Sequence, residues 1–335
     1  MMDMIPHEDD LRDAERTLRG VIRRTPLLSS AALDREIGAR VAVKAESLQI
    51  TGSFKMRGAY YRLTRLDQGK QKAGVVAFSS GNFAQGLAAS GARLGIPVTI
   101  VMPEDAPRAK IAATEAWGAE VVLSRHGTEN REAVASARAR AISADTGATL
   151  LHPFDDPLIV AGQSTAAVEM LQQAHEEGMM PDAVLVPVGG GGLIAGAALA
   201  CERFDPSPAI YAVEPAGYDD FGRSLSAGER LANERNLPTL CDALQAHMPG
   251  IVTFGVAKGR VVEGLAVSDA AVRKAMALAF RHLKIVLEPS GAVALAALLD
   301  GALPQLAGKT IAVLASGGNV ALDDFARLTG PDSLN

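Results

Sequence analysis

Aromatic side chains make up only 4% of the 335 residues, so a buried core has to be built from Ala, Val, Leu and Ile. Cysteine is rarer still. Cys201 and Cys241 are the two present, with no CxxC spacing. The count is compatible with one disulfide, but two scattered thiols read as structural cysteines of a cytoplasmic protein. There is no excess of basic residues: the formal net charge is −5, which argues against a nucleic-acid partner, since that would need a basic patch. Acidic and basic residues are interleaved, with no charged tail. No run of about 18 apolar residues occurs, so no segment is expected to span a membrane. The start, MMDMIPHEDD, is acidic and lacks the basic-then-apolar order of a secretory signal. Internal repeats and low-complexity stretches are missing too.

What remains is an ordinary globular composition, 48% hydrophobic and 21% charged. The length suits one large or two ordinary domains and a sizeable core. The 33 glycines are partly clustered, as happens where backbone turns tightly or presses on a ligand.

Short apolar runs read as strands at Val41–Glu46, Gly74–Phe78, Val98–Met102, Ala119–Leu123, Ala183–Val188, Ala209–Val213 and Ile311–Ala315. Continuous apolar runs of this length suit strands buried on both faces. Amphipathic segments lie between them, including Phe83–Leu94, Ala106–Trp117, Arg131–Ala144 and Leu158–His175. Strand–helix alternation predicts an α/β fold with mainly parallel sheets. One set of units ends near residue 121 and a second resumes after His152-Pro153, which predicts two lobes with a ligand cleft between them.

Four polar clusters fall at strand ends or helix starts. In Thr51-Gly52-Ser53-Phe54-Lys55-Met56-Arg57-Gly58-Ala59, Thr and Ser can cap a helix whose first turn holds Lys55. The helix dipole and burial would then lower the lysine pKa and favour a nucleophilic amine. The alternative is a solvated surface lysine. Ser79-Ser80-Gly81-Asn82-Phe83 follows a strand directly and can offer backbone N–H groups to a carboxylate, or can simply cap a helix. The run Gly189-Gly190-Gly191-Gly192 before Leu193 exceeds what a turn needs. It makes sense if successive N–H groups wrap a phosphate at a helix N-terminus. It matches neither a Walker A loop nor a dinucleotide fingerprint. Ser316-Gly317-Gly318-Asn319 is a further strand-end turn, where open α/β sheets hold ligands.

In this order, SFKMRGA, SSGNF, GGGGL and SGGN resemble the fold type II (tryptophan synthase β-like) pyridoxal-phosphate enzymes. They are most similar to the serine/threonine dehydratase and serine racemase branch. Thr25-Pro26-Leu27, Ala161-Gly162-Gln163 and Glu288-Pro289-Ser290-Gly291-Ala292 support the match, which spans roughly residues 15 to 325.

The resemblance implies a large cofactor domain of residues 1–67 and 153–335 and a small domain, 68–152, that closes over the substrate. It implies Lys55 as the Schiff-base lysine and α-proton base, with Phe54 beside the ring or simply in the core. Gly189, Gly190, Gly191, Gly192 and Leu193 would cradle the phosphate. Asn82 would bind the ring hydroxyl and Ser316 the pyridine nitrogen. A neutral serine at that nitrogen makes a weaker electron sink than aspartate, which suits β-elimination. Ser79, Gly81, Asn82 and the Phe83 amide would hold the substrate carboxylate. Ser80 would reprotonate from the opposite face in a racemase, or would merely cap its loop. Glu214, Tyr218 through its carbonyl, and Asp220 resemble the branch's divalent-metal loop and would suit Mg²⁺ or Ca²⁺. Without a metal they form a strand-end turn with solvated acids.

The expected reaction is deamination of a 3-hydroxy amino acid, by default L-threonine or L-serine, to a 2-oxo acid and ammonia. Serine racemisation, β-replacement and a non-catalytic cofactor carrier are the rivals. Phe83 departs from the branch's SSGNH pattern, which predicts either a more apolar pocket rim or the loss of a polar contact to the substrate, and admits phenylserine. Arg131, alternatively an exposed helix arginine, admits 3-hydroxyaspartate. A homodimer is expected. Feedback control by isoleucine is not, because no effector module follows the matched region.

Overall fold

A computed structural model describes residues 5–79, 81–127, 131–204, 207–233, 237–299 and 303–330. Its strands are β1 (Leu27–Ser29), β2 (Arg40–Ala45), β3 (Val75–Phe78), β4 (Val98–Pro103), β5 (Glu120–Ser124), β6 (Thr149–Leu151), β7 (Ala183–Pro187), β8 (Ala209–Pro215), β9 (Glu263–Val267) and β10 (Thr310–Ala315). They form a six-stranded sheet, ordered β1-β2-β10-β7-β8-β9, and a four-stranded sheet, ordered β5-β4-β3-β6. Every pairing is parallel except that of β1 with β2. The protein is an α/β fold of mainly parallel sheets flanked by helices, as the strand–helix alternation predicts.

The apolar strands serve two cores at once. Val41, Val43, Ile311 and Val313 point into one core of the six-stranded sheet, and their neighbours Ala42, Ala312 and Leu314 into the other. The four-stranded sheet repeats the pattern, with Val75 and Ala77 on one face and Val76 and Phe78 on the opposite one. Side chains alternate across a strand, so a strand buried on both faces has to be apolar throughout.

Three helices fix the cleft between the sheets: Lys55–Thr64, Pro157–Glu176 and Gly192–Cys201. The first two cross so closely that a Cβ on Gly162 would lie 2.5 Å from Gly58 Cα. Gln163 Oε1 accepts a bond from Gly58 N at 3.2 Å at this crossing. The cleft itself runs along the carboxyl ends of β2, β3, β7 and β10, where the four polar clusters emerge. Among the described residues, no helix is long and apolar enough to cross a membrane. Cys201 and Cys241 are both free and buried.

Candidate active site

The cleft has a volume of ≈ 330 Å³. It gathers residues that are far apart in sequence: Phe54 and Lys55, the loop Ser79 with Gly81–Phe83, the run Gly189–Leu193, and Ser316. Ser80 lies outside the described residues.

Lys55 is the first residue of its helix. The segment before it is tied to the end of β10, where Ser53 bridges Gly317 and Phe54 N donates to Ser316 O at 3.2 Å. The serine expected at the ring nitrogen and the lysine expected to carry the cofactor are therefore joined through backbone. Lys55 is half-buried, and its Nζ lies 5.1 Å from the centroid of the Phe54 ring. Burial lowers its pKa to about 8, and the nearby Glu288 carboxylate opposes that shift. The lowered pKa enlarges the free-amine fraction that a nucleophile and proton acceptor needs.

Two residues on, Arg57 explains why the lysine motif continues as Arg-Gly-Ala. Its guanidinium is fully buried and meets both oxygens of Glu46 at 2.8 Å. It also meets both oxygens of Glu169, at 2.9 and 2.8 Å, and Thr165 Oγ1 at 3.2 Å. Burial alone would depress its pKa, but the charges and hydrogen bonds of Glu46 and Glu169 together outweigh that and raise it. The network anchors the first turn of the helix and so fixes the direction of Lys55.

Asn82 opens the helix Asn82–Leu94. Its Nδ2 donates to Glu288 Oε1 at 2.5 Å, and its Oδ1 accepts from Asn319 Nδ2 at 2.7 Å. Both ends of the amide are oriented, and one Nδ2 hydrogen remains for a ligand. Glu288 is buried, and its Oε2 has no partner. Burial raises its pKa to about 7, against the pull of the Lys110 charge. The sequence displays Glu288 inside a motif but gives it no role.

The glycine run leaves β7 and enters the helix Gly192–Cys201, with Gly191 at φ 95. The Gly190 carbonyl accepts from Thr253 Oγ1 at 2.6 Å and from Gly250 N at 3.2 Å. Among the described residues, no backbone acceptor takes the N–H groups of Gly189 to Gly192. Side chains are excluded here. A Cβ on Gly190 would lie 2.3 Å from the Phe154 ring, and one on Gly191 2.4 Å from the Phe221 ring. Unpaired N–H groups at a helix N-terminus make an anion site. Behind Phe154, His152 Nδ1 accepts from Asp155 N at 3.0 Å, and burial lowers the His152 pKa.

Phe83 corrects an expectation. Its side chain is 1% exposed and belongs to the core with Leu63, Leu87, Ile100 and Met102. The ring points into the four-stranded layer and does not make the rim apolar. The rim is instead charged: Lys110, Arg131, Asp105 and Asp242 all line it. Lys110 pairs with Asp242, and Arg131 Nη2 lies 3.3 Å from Asp105 Oδ1.

Glu214, Tyr218 and Asp220 lie together behind the glycine run, outside the cleft lining. Glu214 accepts from Phe221 N at 2.9 Å and Gly222 N at 2.7 Å. Asp220 Oδ1 accepts from Asn233 Nδ2 at 2.6 Å, while its buried Oδ2 has no partner. Burial and the Asp220 charge push Glu214 well above the usual carboxylate range, and burial raises Asp220 to about 7. Among the described residues, no group of three or more His, Cys, Asp or Glu could hold a metal. Any ion here would rest on two carboxylates and backbone oxygen.

A parallel α/β enzyme with a lysine, an anion loop and a strand-end serine in one interlobe cleft is the class this geometry defines. The sequence matches the pyridoxal-phosphate dependent enzymes over residues 18–317, and the chain belongs to that family. An L-threo-3-hydroxyaspartate ammonia-lyase from Pseudomonas sp is 41% identical, over 98% of this chain and 99% of that one. A serine racemase from Schizosaccharomyces pombe is 38% identical, over 96% of this chain and 97% of the other. The crystal structure of a T.th. threonine deaminase superposes with a TM-score of 0.88 at 44% identity, covering 95% of this chain and 99% of that one. The residues fit the family's cofactor, pyridoxal phosphate: a cradle with free N–H groups, an amine of lowered pKa, and an oriented amide.

Proposed function

We propose that the chain is a pyridoxal-phosphate dependent ammonia-lyase that acts on a 3-hydroxy amino acid, and that it prefers 3-hydroxyaspartate to threonine or serine. The product from 3-hydroxyaspartate is oxaloacetate, with release of ammonia. The observation that carries the preference is the charged rim. Lys110 and Arg131 bring two cations into a cleft that a threonine side chain would not need. The 41% identical relative that acts on L-threo-3-hydroxyaspartate supports the same reading.

When bound, pyridoxal phosphate supplies an electron sink for the pair left at the substrate α-carbon. Gly189 to Gly192 and Leu193 would hold its phosphate, Asn82 its ring hydroxyl and Ser316 its ring nitrogen, with Phe54 against the ring. The protein's own part begins at Ser79 and at the N–H groups of Gly81, Asn82 and Phe83, which hold the α-carboxylate. Lys55 Nζ then takes the α-proton. Its lowered pKa enlarges the fraction free to accept one. Loss of hydroxide from the β-carbon and hydrolysis of the C–N bond follow, and water lost in the first step is regained in the second. Residues 68–152, built on the four-stranded sheet, close over the substrate and exclude solvent. Ser80, as the family resemblance implies, would give a proton back and yield racemisation as a side reaction.

We further infer that Glu214, the Tyr218 carbonyl and Asp220 take a structural Mg²⁺ or Ca²⁺. Two buried carboxylates with one unpartnered oxygen favour a hard cation over mutual repulsion.

The test is ammonia and 2-oxo acid release by the holoenzyme from 3-hydroxyaspartate, L-threonine, L-serine and phenylserine. The highest kcat/KM is expected for 3-hydroxyaspartate, and a higher value for threonine or serine would overturn the preference.

A further inference from the structure

Among the described ion pairs, Lys110–Asp242 is the one that spans the cleft. Lys110 stands on the helix Arg108–Glu115, between β4 and β5 of the four-stranded sheet. Asp242 opens the short turn Asp242–Leu244, between β8 and β9 of the six-stranded sheet.

The two partners are unequal. The Lys110 side chain is 11% exposed, whereas that of Asp242 is 49% exposed. A Cβ on Gly81 would lie 3.8 Å from Lys110 Nζ, with no nearer atom outside its own chain neighbours. The ammonium therefore hangs over the strand-end loop assigned above to the α-carboxylate. The rim's other cation is different. Arg131 is 41% exposed and is tied to Asp105, which lies on the same side of the cleft. An exposed pair contributes little and costs little to break, whereas an enclosed ammonium needs an anion at all times.

We propose that Lys110 reads the second carboxylate of the substrate, and that Asp242 holds that position while the cleft is empty. This rests on the reading that the substrate is a 3-hydroxyaspartate. The aspartate side chain and the distal group of such a substrate are the same chemical group, a carboxylate. On binding, one carboxylate replaces the other, Asp242 swings into water, and Lys110 is never left unpaired. A substrate with a methyl or hydrogen on its β-carbon has no anion to offer and leaves the pair intact. Specificity is then a competition between two carboxylates for one ammonium, and is set by a difference of affinities. No covalent step is involved.

Binding of succinate and of butyrate to the holoenzyme, measured by calorimetry, tests this. The two share a four-carbon skeleton and differ in the second carboxylate. Lys110→Met is expected to weaken succinate by about thirtyfold, as for loss of a charged hydrogen-bond partner, and butyrate by less than about threefold. Asp242→Asn is expected to do the opposite and tighten succinate by about three- to tenfold, because the competitor is gone. Opposite signs from the two halves of one pair would not come from a structural latch. If both variants weaken both ligands alike, or neither changes succinate, the proposal is overturned. Should Lys110→Met fail to fold, Asp242→Asn still decides by the sign of its effect on succinate. Failure of the substrate reading would look different: opposite signs for succinate, with no turnover of 3-hydroxyaspartate by the unaltered enzyme.

Discussion

The buried charges beside Lys55 in the chain and those facing it across the cleft are finished to different degrees. Arg57, Glu46, Glu169 and Lys44 form a closed set. Every nitrogen of the guanidinium is bonded, and Lys44 Nζ meets Glu169, Gln173 and the Thr25 carbonyl within 2.9 Å. Glu288 is just as buried but keeps one oxygen unpartnered, and Asp220 does the same behind the glycine run. Buried polar groups are normally satisfied, so an unsatisfied one asks for an explanation in function or in a missing ligand. The saturated cluster is scaffold, and the unsaturated groups are where a ligand, a cation or a proton completes the structure.

That contrast can be broken at either end. The largest expected effect is in the scaffold. Arg57→Ala leaves the buried Glu46 and the half-buried Glu169 without the guanidinium that joins them and should cost about 3–5 kcal/mol of unfolding free energy, measured by urea denaturation. A loss below about 1 kcal/mol would mean the network is not closed. Glu288→Ala should leave stability nearly unchanged but lower kcat by about tenfold or more, because Asn82 loses the partner that orients its amide. Glu288→Gln keeps an acceptor for Asn82 and should recover much of that rate. The smallest effect is at Glu214 and Asp220. Millimolar Mg²⁺ or Ca²⁺ should raise the melting temperature by about 2 °C or more, and Asp220→Asn should abolish the rise. An equal rise in the variant would place the cation elsewhere.

Much of this is legible in the sequence, for identifiable reasons. Strands buried on both faces announce themselves as apolar runs, and seven of them are predicted to within about two residues of their observed ends. The three that are missed give weak signals. β1 and β6 have three residues each, and β9 is an edge strand that begins at the exposed Glu263. Motif residues at strand ends converge because parallel strands put their carboxyl ends on one side of a sheet. The charged rim is not legible. Lys110 and Asp242 are 132 residues apart, on a short helix and a turn, and no spacing links them. Phe83 misleads for a related reason: it lines the cleft, but the helix that begins at Asn82 turns its side chain into the core of the four-stranded sheet. Glu288 is visible as part of a motif, but only its burial against Asn82 gives it a task.

The central claim is that chemistry at this cleft belongs to Lys55 while the charges next to it only hold it in position. Ammonia release from 3-hydroxyaspartate by Lys55→Ala, compared with the unaltered enzyme at equal cofactor loading and alongside urea denaturation of both, tests it most directly. A variant as stable as the parent that releases ammonia at least about 10⁴-fold more slowly is the predicted result, as for removal of a group that acts directly in catalysis. A folded variant that still releases ammonia at a rate near the parent's would contradict the account.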